Sequence, residues 1–298
     1  MNLKDLRVVF AGCARNCSSF LPKVLDNIEF YSSFFSDSYM VIVENGSTDK
    51  TKEILKNNKN KKNFFLFEDD LNELPYRGQR LEKARNLIIE TIKKNTNLIS
   101  CDLFIMLDLD DMGTYRIEEK NILDSVKFLF SKEKIAAVFA NQLGTYYDMW
   151  TLRDQKYCKN DFWAEVLQFL MKNKNANEKI LKSNFEEAKK NIIDKKTYSF
   201  EKNHPPIQVD SAFGGFGIYK MKYVLKNKRK YSGTQIVNLK SKDEKKLKVK
   251  YQKCEHVNFN QGLTEQNLEL YILPNLINRD YEKNIFPPSA SINLIVKN

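Results

Sequence analysis

Three aspartates follow a short apolar run near the middle of the chain. In the stretch LFIMLDLDDMGTYR, the apolar residues 103–106 come directly before Asp108, Asp110 and Asp111. Several carboxylates close together repel one another unless a cation compensates them, and Mg²⁺ and Mn²⁺ take oxygen ligands of this kind. Aspartates also cap turns and helices. The pattern therefore favours a divalent metal site, with a capped turn as the alternative.

Short apolar runs alternate with helical patterns in the elements that would position these aspartates. RVVFAG, YMVIVE, NFFLFE and DLFIML are typical of strands, and helices are predicted from about Ser19, from about Asp49 and over QRLEKARNLIIETIKKN. One face of the third helix is apolar and comprises Leu81, Ala84, Leu87, Ile88 and Ile92. The alternation predicts an α/β fold with a mostly parallel sheet covered by helices on both faces.

Three polar loops follow predicted strands of this sheet. They are AGCARN, ENGSTD and DLDD. In open parallel sheets, ligands bind beyond the carboxyl ends of the strands. We therefore expect the three loops to share one site.

Length and composition indicate a globular protein. A chain of 298 residues with 42% hydrophobic and 12% aromatic residues can bury a sizeable core, and we expect one domain with an insertion. No apolar run approaches the roughly 18 residues of a membrane span. The start of the chain, MNLKDLRVVFAGC, lacks the apolar region of a secretory signal. These features lead us to expect a soluble, cytoplasmic protein.

The formal charge of +11 comes largely from lysines in stretches such as KNNKNKKN. Such runs either form a solvated surface or bind anionic lipid headgroups or phosphorylated substrates. No zinc-finger spacing or RNP motif accompanies the charge, so no specific nucleic-acid partner is expected. The five scattered cysteines predict free thiols rather than a disulfide framework.

Several motifs together carry a family resemblance. VIVENGSTDKT, EKARNLIIE and FIMLDLDDM occur in this order and resemble the V-D-D-G-S-T-D, A-R-N and L-D-x-D-D signatures of the family 2-like nucleotide-sugar glycosyltransferases of the GT-A class. YYDMWTLRD, VDSAFGGFGIYK and CEHVNFNQGL resemble the subgroup related to fungal capsule α-1,3-mannosyltransferases and bacterial capsule glycosyltransferases. The resemblance implies one Rossmann-like GT-A domain over residues 1–298. Residues 1–115 would form its nucleotide-sugar-binding half, and 116–298 its acceptor half with a helical insert at about 159–203.

The resemblance also implies positions for the nucleotide. Ala11, Gly12 and Arg15 would lie along it after the first strand, and Glu44 would face the ribose or base. Asn45 stands where the commoner D-D-G-S pattern has its second aspartate, which leaves the choice of base open. Asn45 can donate and accept hydrogen bonds, or serve only as a turn residue.

The diphosphate and metal contacts follow from the same comparison. Arg85, in the A-R-N match, would lie near the diphosphate or the aspartates, where its guanidinium can bind either in a bidentate manner. Arg80 is either a second nucleotide contact or a surface arginine. Asp110 is the first candidate ligand for Mn²⁺ or Mg²⁺, Asp108 would face the ribose or metal, and Asp111 would be a second ligand or a support.

Two later segments would bind the acceptor. The paired Gly214 and Gly215 allow close approach of a ligand to the backbone, or mark a bulge. Tyr147 and Trp150 flank Asp148, and aromatic faces beside a carboxylate suit sugar binding, although aromatics are also ordinary core residues. The amphipathic pattern DFWAEVLQFLMKN in the insert predicts a packed helix, a cover for the acceptor, a membrane-surface helix or an oligomer contact.

Two carboxylates are candidates for the catalytic base. Glu255 follows the glycine segment where related inverting enzymes carry an E-D pair before a helix, and Asp210 is the alternative. His256 would be a further metal ligand or diphosphate contact. His204, beside two prolines, is expected in a loop.

Three functions are compatible with these features. The leading one is transfer of a sugar from a nucleotide-diphosphate sugar to a glycan or lipid-linked glycan of the cell surface, with possible peripheral contact to an anionic membrane. A nucleotidyltransferase would usually show a glycine-rich triphosphate loop after the first strand, and AGCARNCSSFLPK lacks one. A sugar-binding relative without turnover is the third. The stereochemical outcome is open, because retaining and inverting enzymes share this sheet and aspartate loop.

Overall fold

A computed structural model describes residues 2–156, 158–172, 187–188, 190–192, 198–240 and 246–280. Within these residues, ten strands form an eight-stranded sheet in the order β3-β2-β1-β4-β7-β5-β10-β6 and a separate β8-β9 hairpin. The strands are β1 (Arg7–Ala14), β2 (Asp37–Glu44), β3 (Phe64–Glu68), β4 (Leu103–Leu107), β5 (Ile135–Leu143), β6 (Ile207–Val209), β7 (Phe216–Lys220), β8 (Thr234–Lys240), β9 (Lys246–Gln252) and β10 (Glu269–Asp280). The helices are α1 (Leu21–Ser32), α2 (Thr51–Asn58), α3 (Arg77–Lys94), α4 (Thr96–Ile99), α5 (Glu119–Ser131), α6 (Phe162–Lys172), α7 (Met221–Lys226) and α8 (Glu255–Thr264).

The large sheet is mostly parallel. β1 pairs in parallel with β2 and β4, β2 with β3, and β5 with β10. β7 lies antiparallel between β4 and β5, and β6 is antiparallel to β10. The predicted α/β fold class is confirmed, and the two antiparallel strands make the sheet a mixed one.

Apolar side chains cover both faces of the sheet. In β1, Val8 and Phe10 belong to one buried cluster and Val9 and Ala11 to the other, as the alternation of side chains in a strand requires. The predicted apolar face of α3 packs on the second cluster, with Ala84, Ile88 and Ile92 fully buried and Leu87 partly so. This packing fixes α3 on one face of the sheet, over β1 and β2.

The predicted insert is described in part. α6 covers its first amphipathic pattern, and Phe162 and Val166 are buried. Most of the remaining pattern, including residues 173–186 and 193–197, lies outside the described residues. Among the helices that are described, none has the length and apolar character needed to cross a bilayer. All five cysteines are free thiols, as predicted.

Candidate functional site

Hydrogen bonds join the loops that follow β1 and β2. Asn16 has a left-handed backbone (φ 48°), which asparagine tolerates better than most residues. Its N–H donates to Ser47 Oγ at 3.0 Å, and its Oδ1 accepts from the Thr48 N–H at 2.8 Å. The Cys17 N–H donates to Thr51 Oγ1 at 2.9 Å. The structure therefore holds the AGCARN and ENGSTD loops side by side, at the edge where β4 also ends.

The aspartate loop contains a capped turn and an ion pair to β10. Asp110 Oδ1 accepts the Met112 N–H at 3.1 Å at the start of a short 3-10 turn. Asp111 pairs through Oδ2 with Arg279 Nη2 at 3.1 Å, and its carbonyl accepts from Arg279 Nη1. Asp111 is thus tied to β10, which suits its predicted role as a support. The sequence analysis did not single out Arg279.

One buried guanidinium connects the aspartate loop to α8. Arg85 is 4% exposed and lies 3.3 Å from Asp108 Oδ1 through Nη2. Its Nη1 forms an ion pair with Glu255, which is 2% exposed and begins α8. The Phe213 ring lies under the guanidinium, 5.2 Å from its central carbon. Arg85 therefore contacts both Asp108 and Glu255, and all three are predicted site residues.

The pKa values of the two loop aspartates are raised. Burial raises the pKa of Asp108 to about 7, with a further contribution from the charge of Asp110, while Arg85 and Arg77 partly oppose it. Burial also raises the pKa of Asp110, although the hydrogen bond from the Met112 N–H opposes this. Because burial is the main reason that these two neighbouring carboxyls resist ionisation, a cation bound directly to them would stabilise the charged form of both.

The donor set fits a metal that is bound together with a substrate. Among the described residues, no group of three or more His, Cys, Asp or Glu side chains is arranged to hold a metal ion. Mg²⁺ and Mn²⁺ commonly take one or two carboxylates and complete their coordination with water and substrate phosphates. Asp108 and Asp110 match that arrangement and not an all-protein cage.

Four arginines, Arg85 among them, line a cavity of about 180 Å³ together with these aspartates, and we call it the arginine cavity. The other three are Arg15, Arg77 and Arg80, and none of these forms an ion pair with a carboxylate of the described residues. Burial lowers the pKa of Arg80, and the charges of Arg15 and Arg77 lower it further. The cavity therefore combines uncompensated positive charge with a carboxylate pair.

Arg77 was missed by the sequence analysis. It is the first residue of α3 and lies three positions before Arg80, a spacing that places two side chains on one helix face. That spacing was the available signal. Its position at the cavity depends on how α3 meets the sheet, which the local sequence does not contain.

The residues predicted to follow the nucleotide fall into two groups. Arg15 and Asn45 line the cavity, and Arg15 Nη1 donates to the Asn45 carbonyl at 2.8 Å and to its Oδ1 at 3.2 Å. Ala11 is buried in the core, and Gly12 packs under the aspartate loop. A Cβ on Gly12 would lie 2.7 Å from Leu109 Cγ, so glycine allows this close packing.

Glu44 is buried beside the cavity edge. Its Oε1 accepts the Ser47 N–H at 2.6 Å, and its Oε2, 3.8 Å from Lys52 Nζ, has no hydrogen-bond partner in the described structure. Glu44 does not line the cavity itself. In this arrangement it shapes the turn that carries Asn45.

The predicted acceptor residues gather around the paired glycines. Asp148 Oδ2 accepts the Gly214 N–H at 3.1 Å, and burial raises the pKa of Asp148. Gly214 and Gly215 both have positive φ, of 64° and 80°, and a Cβ on Gly214 would lie 2.5 Å from the Ala140 carbonyl. The Asp108 N–H donates to the Gly215 carbonyl at 3.0 Å, which places this turn against the aspartate loop.

The two aromatic candidates differ in their surroundings. Burial raises the pKa of Tyr147 far above its usual value, and the charges of Asp108 and Asp148 add to this effect. Tyr147 therefore lies within reach of both acids. Trp150 lines neither this cavity nor the larger one described below, and its buried indole Nε1 has no hydrogen-bond partner in the described structure.

His256 is enclosed beside Arg85. Its ring stacks on Phe213 with centroids 3.9 Å apart, the residue is 1% exposed, and neither ring nitrogen has a hydrogen-bond partner among the described residues. Burial, followed by the charges of Arg85 and Arg77, lowers the pKa of His256 well below its usual value. The imidazole is therefore neutral and keeps a free lone pair, which is the form that binds a metal.

The alternative base lies elsewhere. Asp210 is exposed after the edge strand β6, and its carboxylate accepts from Gln155 Nε2 at 3.5 Å. No described contact joins it to Arg85, Asp108 or Glu255. His204 occupies an exposed turn, as predicted.

Comparison with known proteins gives matches in structure only. No protein-family model matches the chain, and no curated protein matches it in sequence. The mannosyltransferase PcManGT from Pyrobaculum calidifontis, solved with GDP-Man and Mn²⁺, has a TM-score of 0.32 and 17% identity over 46% of this chain and 36% of its own. S. aureus TarS (residues 1–349) has a TM-score of 0.44 and 11% identity over 91% and 59%.

A third solved structure also matches most of the chain. Glucosyl-3-phosphoglycerate synthase from Mycobacterium tuberculosis, solved with UDP, has a TM-score of 0.41 and 12% identity over 92% of this chain and 69% of its own. The chain thus spans 36% and 59% of the length of the first two structures. At these scores and identities the likeness assigns no activity and no residue.

Proposed function

We propose that this protein is a metal-dependent glycosyltransferase that moves a sugar from a nucleoside-diphosphate sugar to a hydroxyl of a glycan acceptor. One observation carries the proposal: Arg15, Arg77 and Arg80, which have no acid partner among the described residues, share a cavity with Asp108 and Asp110. Guanidinium groups bind phosphate, and a carboxylate pair binds Mg²⁺ or Mn²⁺. A metal-bound diphosphate satisfies both sets of groups at once.

The chain's own residues have separate tasks in this reaction. Asp110 and Asp108 would hold Mn²⁺ or Mg²⁺, and the bound ion would neutralise the diphosphate as the bond from the sugar to the diphosphate oxygen breaks. His256, the further ligand expected from the sequence, does not line this cavity and forms no three-residue metal group with the aspartates in the described structure. Arg77 and Arg80 bind the phosphate oxygens. Because these groups are fixed before the substrate arrives, little reorganisation is needed in the transition state.

Glu255 has a positioning role in this proposal. It is buried and paired with Arg85, so it fixes the guanidinium against Asp108 and has no oxygen facing the arginine cavity. Asp148 is better placed to meet an acceptor hydroxyl, because it lies at the Gly214–Gly215 turn and burial raises its pKa towards the range of a general base. Asp210 is exposed and has no described contact with this centre.

The acceptor class is the surface glycan suggested by the later motifs, such as a capsule or lipooligosaccharide chain. A nucleotidyltransferase is less favoured because the loop after β1 presents Arg15 and Asn16 in place of a glycine-rich triphosphate cradle. A non-catalytic sugar-binding protein would not need the paired acids Asp108 and Asp110 in a phosphate-sized cavity.

The test is a turnover assay with UDP- and GDP-sugars in the presence of Mn²⁺. We expect nucleotide release that a glycan acceptor accelerates and that excess EDTA stops. Release of pyrophosphate from a nucleoside triphosphate and a sugar phosphate would favour the nucleotidyltransferase. Donor binding without hydrolysis or transfer would favour the sugar-binding protein.

We also propose peripheral contact with the cytoplasmic face of an anionic membrane, supported by the net charge of +11. Each lysine near such a surface contributes up to about 1 kcal/mol, and salt screens it. Anionic vesicles should therefore pellet the protein at low salt and release it at modest salt. Failure to pellet at low salt would leave the charge with a role in solubility only.

A further inference from the structure

A second cavity, of about 800 Å³, lies on the other side of α8. Val257, Asn258 and Gln261 line it from α8, whereas Glu255 and His256 turn the opposite way towards Arg85 and Phe213. Positions 257, 258 and 261 share one face of a helix because of its 3.6-residue period. The two cavities share no lining residue. The volume of the second cavity is within the range of small-molecule sites, about 300–1,000 Å³.

The other walls come from α6 and the β8-β9 hairpin. Phe169 and Gln168 contribute from α6, and Tyr251 and Gln235 from the hairpin. Five lining residues provide apolar surface, and the others are polar or charged; the five are Ala164, Phe169, Ile192, Tyr251 and Val257. A lining of this mixed kind suits a ligand with both hydroxyl groups and carbon faces, such as a sugar ring.

Six charged side chains line the cavity, and several of them are already engaged. Lys159 is exposed, and Glu165 accepts a hydrogen bond from Asn160 Nδ2 at 3.0 Å. Arg153 forms an ion pair with Asp161, and Arg229 pairs with Glu265, with Nη2 2.5 Å from Oε1. Lys253 has no carboxylate of the described residues within ion-pair distance, although it is half-buried. The cavity thus presents one half-buried ammonium group that an anion would complete.

The electrostatic surroundings of Lys253 also favour a bound anion. Burial lowers the pKa of Lys253, Asp161 partly opposes the effect, and Arg229 and Arg153 add to it. An anionic ligand would supply the missing negative charge and stabilise the ammonium form.

Two amide side chains are also unused. Gln168 and Gln261, from the two helices that border the cavity, form no side-chain hydrogen bond with the described residues. A carboxamide both donates and accepts, which matches the hydroxyl group of a sugar. By contrast, Asn258 donates to the Lys230 carbonyl and accepts from Arg229, so its amide is occupied.

We propose that this cavity binds an anionic sugar, either free or as a unit of a glycan, with its carboxylate or phosphate at Lys253 and its hydroxyl groups at Gln168 and Gln261. The site is separate from the arginine cavity and requires neither a donor nor a metal. Binding at this site can therefore be tested independently of the proposed transfer reaction.

The experiment is calorimetric titration of the full chain in EDTA without nucleotide. Glucuronate and glucose 6-phosphate are the anionic probes, glucose is the neutral one, and inorganic phosphate tests the anion alone. Lys253→Met keeps the aliphatic stem but removes the charge, Lys253→Arg keeps the charge, and Lys23→Met is the matched control at an exposed lysine of α1. Thermal midpoints confirm that each variant is folded.

We expect at least one anionic sugar to bind, more tightly than glucose and inorganic phosphate. Lys253→Met should weaken that binding about 10- to 100-fold, as loss of a charged hydrogen bond does, while Lys253→Arg and Lys23→Met change it little. Gln168→Leu and Gln261→Leu should each weaken it several-fold and provide the test if Lys253→Met does not fold. Binding of glucuronate would identify the carboxylate as the recognised group, and binding of glucose 6-phosphate would identify the phosphate.

Three results would overturn the inference: no binding of either anionic sugar, binding that Lys253→Met leaves intact, or inorganic phosphate that binds as tightly as glucose 6-phosphate. A chain that fails to turn over any nucleotide sugar but binds glucuronate through Lys253 would refute the proposed function and support this site. Turnover without such binding would do the reverse.

Discussion

Replacement of Glu255 by glutamine should lower the free energy of unfolding by about 3 kcal/mol. Glu255 and Arg85 are 2% and 4% exposed and form an ion pair. Removal of one charge leaves a buried guanidinium whose remaining acid partner is Asp108, 3.3 Å away. Breaking a buried pair costs about 3–5 kcal/mol, and the remaining contact to Asp108 puts the expected loss at the lower end of that range.

Urea unfolding of the metal-free protein, followed by circular dichroism, measures this loss. Glu265→Gln is the matched control, because Glu265 pairs with Arg229 just beyond the other end of α8 but the two side chains are 55% and 40% exposed. Exposed pairs contribute roughly 0–1 kcal/mol. A Glu255→Gln variant that loses no more stability than the control would refute the structural reasoning.

The same variant separates two roles of Glu255. A catalytic base that is lost reduces turnover by about 100- to 10,000-fold and needs no loss of stability. A positioning residue loses stability and turnover together, since Arg85 is then free to move. In a double-mutant cycle with Arg85→Gln, residues in direct contact should show a coupling of about 0.5–3 kcal/mol.

Three further outcomes follow from the site. Asp110→Asn should abolish nucleotide-sugar turnover and should also abolish Mn²⁺ binding, which electron paramagnetic resonance measures. The thermal midpoint should be maintained. Full activity of this variant, or of the wild type in excess chelator, would contradict a metal role. Arg77→Gln should raise the KM for the donor about 10- to 100-fold, as loss of a charged hydrogen bond to phosphate does, and an unchanged KM would remove Arg77 from the diphosphate site. Burial holds the pKa of His256 in the fold well below the ordinary histidine value of about 6.5, so the unfolded chain takes up this proton first as pH falls, and His256 lowers stability below about pH 6.5. Asp108, whose pKa is raised to about 7, has the opposite effect in this range and contributes to every variant, so the slopes must be compared. Between pH 7.5 and 5.5 in chelator, the free energy of unfolding of the wild type and of His204→Gln should fall relative to that of His256→Gln, and equal slopes would contradict it.

The central strands and α3 were predictable because their signal is local. β1 and β4 are short apolar runs, and α3 repeats buried residues at the helical period. The order of strands was not predictable in the same way. Nothing within residues 216–220 indicates that they pair antiparallel with both β4 and β5, because pairing is a long-range property.

The site shows the same difference between features with a local sequence signal and features that depend on long-range packing. Asp108, Asp110 and Arg85 stand in recognisable motifs, and the structure brings them together. Arg77 has no motif, and its contribution depends on the angle at which α3 meets the sheet. Gly12 was expected along the nucleotide, yet the close approach of Leu109 decides its environment, and that distance has no counterpart in the sequence.

The place of β7 in the sheet also has a consequence for synthesis of the chain. All five residues of β4 are buried, and one of its edges pairs with β7, which begins at residue 216. A nascent or cleaved chain that ends before that point has a complete aspartate loop but an unpaired apolar strand edge. Such edges recruit other chains, so fragments of this kind should aggregate unless a chaperone covers β4 during translation.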